Sequence, residues 1–241
     1  MDLGIEGKVA LVVGGSRGLG RATAEALAAE GVRVMLSSRQ EEPLAQARAS
    51  LQATGAEVAT EPADVSDPAA PARLVQSTVR TFGTIDIVIA NAGGPPAGRA
   101  LDVDDSMIDR ALDANFKSAL RLTREAVPFM RGNGWGRICC IASYSVVQPV
   151  PGLALSNLAR AGLWAWAKTA AQDLAAEGTG ITLNVACPGP HATDRMRELG
   201  GAGVMGDPAD FGRVVAFLCS RHAGFVNGAA VVVDGGATLA L

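Results

Sequence analysis

A chain of 241 residues with a net charge of −3 can bury a sizeable core, but its charge gives no case for binding nucleic acid or an anionic membrane. Aromatics are only 4% of the residues, so the core must be built from Ala, Val, Leu and Ile, and no apolar run reaches the roughly 18 residues of a membrane span. The amino terminus shows no charged stretch leading into a signal-like apolar segment, so the expected location is cytoplasmic.

Short β-branched runs alternate with longer Ala- and Leu-rich stretches of helical period. Strands are predicted at 8–13, 33–37, 57–63, 85–90, 136–143, 182–187 and 230–233, and helices at 18–30, 41–53, 68–82, 106–130, 151–177 and 208–220. Asp67 before Pro68 and Asp207 before Pro208 are good helix starts. Strict β/α alternation predicts an α/β fold with a mostly parallel sheet and helices on both faces, and right-handed crossovers make it a doubly wound (Rossmann) sheet. The 29 glycines cluster at the ends of apolar runs, where strands turn into helices. No Pro/Ser-rich linker and no repeat divides the chain, so residues 1–241 are expected to form one domain. Cys139, Cys140, Cys187 and Cys219 all sit in apolar segments without metal-ligand spacing and read as small buried hydrophobes.

The first predicted strand runs directly into a turn whose glycines, Gly14, Gly18 and Gly20, fall as G-x-x-x-G-x-G. Small residues there let the backbone turn sharply, approach a pyrophosphate and present the amides of the next helix to it. This predicts a dinucleotide-binding loop. The second strand ends at Ser37-Ser38-Arg39, with no acidic residue to read a ribose 2′-hydroxyl. Arg39 and Arg17 could instead grip a 2′-phosphate, so NADP(H) is expected over NAD(H). The plainer alternative is that both are solvated loop residues.

Further motifs follow the later strands: Asp64-Val65, Asn91-Ala92-Gly93-Gly94, Ser143, Pro188-Gly189 and Val233-Asp234-Gly235-Gly236. With the glycine loop, these make the chain resemble the short-chain dehydrogenase/reductase family over almost its whole length. The 3-oxoacyl-acyl-carrier-protein-reductase-like branch is most similar. The resemblance implies a seven-stranded parallel sheet in the order 3-2-1-4-5-6-7 and a homotetramer or dimer. It also implies that Gly14, Ser16, Arg17 and Leu19 line the adenosine and pyrophosphate side, with Ser38 and Arg39 near the 2′ position. Asp64 and Val65 would meet the adenine, Asn91, Ala92 and Gly93 would pack beside the adenosine ribose, and Pro188, Gly189 and Thr193 would border the nicotinamide. A small-molecule carbonyl or acyl compound is the implied substrate.

Members of the family use Asn, Ser, Tyr and Lys in chain order. Asn115 and Ser143 match the first two. At the Tyr and Lys positions, about thirteen and seventeen residues after the Ser, this chain has Ser156 and Arg160. A serine hydroxyl is a far weaker acid than a phenol, and arginine is effectively never deprotonated. Arg160 could still hold ribose hydroxyls. Tyr144, the one tyrosine, and His191, on the loop after Pro188-Gly189, are candidate surrogate acids, although a lone loop histidine is commonly just solvated. His222 reads as a surface residue. The lid segment at about 190–206 is short and Gly-rich and is expected to cover little of a substrate. Three functions remain open: an NADP(H)-dependent oxidoreductase with an atypical active site, a catalytically degenerate dinucleotide-binding protein acting as a sensor or non-catalytic subunit, or lyase- or isomerase-type chemistry on the same scaffold.

Overall fold

The computed structural model describes residues 1–201 and 203–240. The strands β1 (Val9–Val13), β2 (Arg33–Ser37), β3 (Val58–Thr60), β4 (Ile87–Ala90), β5 (Gly136–Ile141), β6 (Ile181–Pro188) and β7 (Ala230–Val233) form one sheet. Its order is β3-β2-β1-β4-β5-β6-β7, and every neighbouring pair is parallel, as expected. Helices cover both faces, so the central strands are apolar on both sides. All five residues of β1 are buried. Val9, Leu11 and Val13 face one core with Leu74 of α3 (Ala70–Phe82), Leu122 of α5 (Ser118–Asn133) and Leu163 of α6 (Ala154–Ala176). Ala10 and Val12 face the other, with Leu27 of α1 (Gly18–Ala29), Leu44 of α2 (Glu41–Gln52) and Phe211 of α8 (Pro208–Leu218). The four cysteines are buried and free, and adjacent Cys139 and Cys140 point to opposite cores. No helix among the described residues is long and apolar enough to cross a membrane.

Several boundaries differ from the sequence expectations, each for a local reason. The helix expected over 106–130 is α4 (Asp105–Leu112), a widened π turn (Asp113–Lys117) and then α5. Within the turn, Asn115 Nδ2 donates to Ala111 O at 3.3 Å, and just after it Ser118 Oγ donates to Ala114 O at 2.6 Å. Side chains that bond to carbonyls one turn back compete with the regular ladder. Pro149, Pro151 and Gly152 (φ 76°) keep the chain out of helix until Ala154, three residues later than expected. The expected strand 136–143 stops at Ile141, because Ser143 caps a short 3₁₀ turn, Tyr144–Val146. Asp67 does not cap a helix at Pro68. Its carboxylate accepts from Ala69 N at 3.0 Å and α3 starts at Ala70, whereas Asp207 does cap α8 through Ala209 N at 2.9 Å. Between β6 and α8 lies one short helix, α7 (Asp194–Glu198).

Helices α1 and α8 meet at Gly212, where an added Cβ would fall 2.4 Å from Ala22 O. Backbone on both sides leaves nothing flexible to move, so the contact requires glycine. Gly212→Ala is therefore expected to lower stability by about 1–3 kcal/mol despite alanine's better helix propensity. Urea unfolding of the two proteins side by side checks this.

Candidate active site

The first structural feature of the edge where the strands end is the turn after β1. Gly14 has φ 64°, a left-handed conformation that favours glycine. A Cβ on Gly20 would lie 2.2 Å from Gly14 O, and one on Gly14 would lie 2.4 Å from Asn91 Nδ2. Asn91, just past β4, donates that nitrogen to Gly14 O at 3.3 Å and so ties the two strand ends together across the point where strand order reverses. Arg17 is the extended residue before α1 and its side chain makes no capping bond. The first amides of a twelve-residue helix thus face outward without a capping acceptor, a donor set suited to a phosphate. Gly93 leaves open space beside this turn, an added Cβ there meeting nothing within 4 Å, and one at Gly18 would meet only Thr193, at 3.7 Å. A pyrophosphate fits this cradle.

Beyond the cradle, Arg17 and Arg39 are both exposed, as the plainer alternative allows, and neither forms an ion pair among the described residues. Asp64 is mostly solvated. Its partial burial opposes ionisation, but bonds from the Ser66 side chain and amide and the charge of Arg39 outweigh that and hold its carboxyl below the usual range. Arg39 therefore stands close to the Asp64 turn. Ser38 Oγ is used locally, donating to Gln40 O at 3.3 Å. Leu19 and Val65 are half-buried against the two cores, and Ser16 and Ala92 are also partly buried.

The second feature lies at the ends of β4 and β5. Arg160, on α6, is only 7% exposed. Its Nη1 donates to Ile141 O at 2.9 Å and its Nη2 to Asn115 Oδ1 at 3.1 Å. The π turn thus aims Asn115 at Arg160, which sequence periodicity gave no means to foresee. Both acceptors are neutral, and among the described residues no carboxylate pairs with this guanidinium. Burial pulls its pKa down to about 10, with the nearby Arg195 adding to the effect. Asn91, Asn115, Ser118 and Arg160 line a cavity of ≈ 10 Å³, space for about one water. Ser143 Oγ accepts from Ser145 N at 3.1 Å, which leaves the hydroxyl hydrogen free to donate elsewhere. The Cys187 thiol faces the Ser143 amide and the Arg160 charge, but burial pushes its pKa up to about 12, so it stays neutral. Ser156 is one helical turn before Arg160 on the same face of α6 and is 8% exposed. Tyr144 is half-buried in the 3₁₀ turn.

His191 corrects an expectation. It is buried rather than solvated, with its ring edge-on to Phe211 at 5.3 Å and Nδ1 bonded to Gly189 O at 3.1 Å. Gly189 itself packs under Asp234, where a Cβ would meet Asp234 Cβ at 2.4 Å, and Thr193 caps α7. His222 is exposed, its Nε2 2.9 Å from Asp2 O. Two residues absent from the sequence reading shape the rim. Arg195 Nη2 donates to Pro95 O at 2.6 Å, and Gln148 Oε1 accepts from the amides of Leu239 and Ala240 at 2.7 and 3.1 Å. Neither had a sequence signal, since each contact joins loops far apart in the chain.

A family model described as enoyl-(acyl carrier protein) reductase matches residues 13–238. Human dehydrogenase/reductase SDR family member 4 is 34% identical over 95% of this chain and 87% of its own length. The chain belongs to the short-chain dehydrogenase/reductase (SDR) family of oxidoreductases. The 3-oxoacyl-(acyl-carrier-protein) reductase of Escherichia coli K12 is 33% identical, over 97% of this chain and 98% of the relative. Among solved structures, L-sorbose reductase from Gluconobacter frateurii, complexed with NADPH and L-sorbose, matches with a TM-score of 0.93 and 31% identity over the whole of both chains. A short-chain dehydrogenase from Burkholderia cenocepacia in complex with NADP matches with a TM-score of 0.87 and 30% identity, covering 96% of this chain and 98% of the other.

The Arg160 seat makes a stability prediction for this SDR chain. A buried cation held only by neutral acceptors gains little from its charge, so Arg160→Met, which removes that charge but leaves Ile141 O and Asn115 Oδ1 without their donor, is expected to move the thermal midpoint little. Asn115→Ala leaves Nη2 buried without its acceptor and is expected to cost about 1–3 kcal/mol. Calorimetry on both variants checks the pair; a large loss in Arg160→Met would show the guanidinium to be a net stabiliser.

Proposed function

We propose that the protein is an NADP(H)-dependent carbonyl reductase or alcohol dehydrogenase whose active site departs from its family's pattern at Ser156 and Arg160. The observation that carries this reading is the meeting, on one sheet edge, of the glycine cradle and the Asn115–Arg160 pair, with Asn91 bonded to the first and lining a small cavity with the second. The two solved relatives that hold NADPH and NADP support the choice of cofactor. Gly14, Ser16, Arg17 and Leu19 would flank the pyrophosphate, with Arg17, Ser38 and Arg39 toward the 2′-phosphate. Asp64, Val65, Asn91, Ala92 and Gly93 would border the adenosine, and Pro188, Gly189 and Thr193 the nicotinamide. The reduced dinucleotide, when bound, supplies hydride.

The chain's own groups supply the rest. Arg160, with its pKa near 10, stays cationic at neutral pH and offers charge and hydrogen bonds but no proton relay. The Ser143 hydroxyl is free to donate to a substrate oxygen. Ser156, or a water it holds, would deliver the proton, with Tyr144 as the other hydroxyl at this edge; the packing of His191 on Phe211 argues against its use. Replacing a positioned phenol by a weaker acid costs roughly 10²–10⁴-fold in rate. One observation favours the second reading, a dinucleotide-binding protein without turnover. Both Nη atoms of Arg160 are committed to the chain's own acceptors, Ile141 O and Asn115 Oδ1.

Two measurements test these readings. NADPH is expected to quench the tryptophan fluorescence at lower concentration than NADH. The joint change Arg17→Ala and Arg39→Ala should weaken NADPH binding about tenfold to a hundredfold while moving NADH less than about twofold. Equal or tighter NADH binding by the natural protein overturns the NADP(H) preference. On 3-oxoacyl thioesters and simple ketones, the double change Ser156→Tyr and Arg160→Lys should raise NADPH oxidation by roughly 10²–10⁴-fold over a measurable natural rate. Turnover in the double variant alone would favour the non-catalytic reading.

A further inference from the structure

The loops at the carboxyl edge are joined to one another around the mouth of the site. Gln148 holds the carboxyl-terminal segment through Leu239 and Ala240. Asn157 clasps Val150 with both amide atoms, accepting from its N at 3.3 Å and donating to its O at 2.9 Å. Gly98 N donates to Gly152 O at 2.7 Å, and Ala154 N to Gly98 O at 3.3 Å. Arg195 of α7 closes the circuit on Pro95 O. Segments 93–98 and 143–153 carry no charged side chain. The Asp234 carboxylate is already taken by the amides of Gly236 and Thr238, and Asp194 pairs with Arg197.

Arg195 therefore brings a charge to an otherwise uncharged stretch of the rim. Its guanidinium lies on the backbone of Gly94, where an added Cβ would fall 3.2 Å from Nε and 3.3 Å from Nη2. A side chain at Gly94 would push the guanidinium back by a few tenths of an ångström. Pro95 O uses one of five N–H donors, and Glu198, mostly solvated and 3.7 Å away, is too distant for a hydrogen bond. Beyond the bond to Pro95 O, the other N–H groups of Arg195 make no hydrogen bond among the described residues, although Glu198 stands within ion-pair distance of Nη1. Arg160 is a second cation, itself without a carboxylate partner among the described residues, and close enough for the two charges to repel. A carboxylate entering beside them would satisfy the fork of one and offset the charge of both.

We propose that Arg195 is a specificity-determining residue that binds an acidic group on the substrate, so that the preferred ligand is a carbonyl compound bearing a carboxylate. This rests on the carbonyl-reductase reading, which names the reaction but not the substrate's charge. Acetoacetate and methyl acetoacetate share a carbonyl and a carbon frame and differ by one negative charge.

The test titrates both probes into the full-length protein, with and without saturating NADPH, and follows tryptophan fluorescence. Acetoacetate is expected to bind about tenfold to a hundredfold tighter than its ester. Arg195→Gln should abolish that preference and Arg195→Lys should retain part of it, with the NADPH dissociation constant of both variants within about twofold of the natural one. Equal binding of acid and ester, binding of neither, or an undiminished preference in Arg195→Gln overturns the proposal. So does a loss of NADPH affinity in Arg195→Gln, which would assign the guanidinium to the dinucleotide. If NADPH does not bind the natural protein at all, the proposed function fails, and the titration without dinucleotide still decides whether Arg195 selects the acid.

Discussion

All seven strands run the same way, and the placement of everything else at the site follows from that constraint. A parallel sheet needs a crossover after each strand, and the crossovers bury both faces. The polar side chains of the site stand where strands have ended. Asn91 follows Ala90, Ser143 lies two residues past Ile141, and Asp234 follows Val233. Because every strand ends on the same edge, residues from across the sequence meet there without any of them entering the core. The reversal of strand order between β1 and β4 opens the crevice that Asn91 spans to reach Gly14.

The seat of Arg160 depends on two interruptions of regular structure. The ladder between β4 and β5 ends at Ala90 and Cys140, so the carbonyl of Ile141 projects beyond it toward α6. The π turn between α4 and α5 delivers Asn115 Oδ1 on the other side. A planar guanidinium reaches two acceptors set apart in this way, whereas an ammonium group is a point donor. Arginine is thus accommodated locally by the shape of its surroundings. The electrostatic consequence is unrelieved, because both acceptors are neutral and the charge remains a burden on the folded state.

The fold was legible because its signals are periodic and local. Strands of alternating or continuous apolar character, separated by glycine turns, mark the seven strands and the sheet class, whereas Asn115, Ser143, Ser156 and Arg160 were singled out only by the resemblance to the family. What escaped was set by side chains acting on backbone or by distant loops. The pattern over 106–130 stays helical in period, so nothing in it marks the carbonyls that Asn115 and Ser118 capture. His191 looked like a solvated loop residue because its partner, Phe211, lies on the next long helix. The contact of Arg195 with Pro95 spans 100 positions, a separation across which no propensity or spacing rule operates.

The stretch between β6 and α8 is short and holds one short helix, α7, so the rim is tied together mainly by its other loops. Three of its four seams involve two hydrogen bonds each: Gln148 with the amides of Leu239 and Ala240, Asn157 with Val150, and Gly98 with Gly152 and Ala154. The α7 seam has one, from Arg195 to Pro95 O, worth roughly 0.5–1.5 kcal/mol. Gly200 and Gly203 beside it have φ 70° and 91°, conformations that other residues adopt only with strain. The α7 seam is thus the one held by the fewest hydrogen bonds of the four. The guanidinium proposed to meet a ligand is also the one that makes this seam, so a ligand carboxylate and Pro95 O would be acceptors served by the same fork.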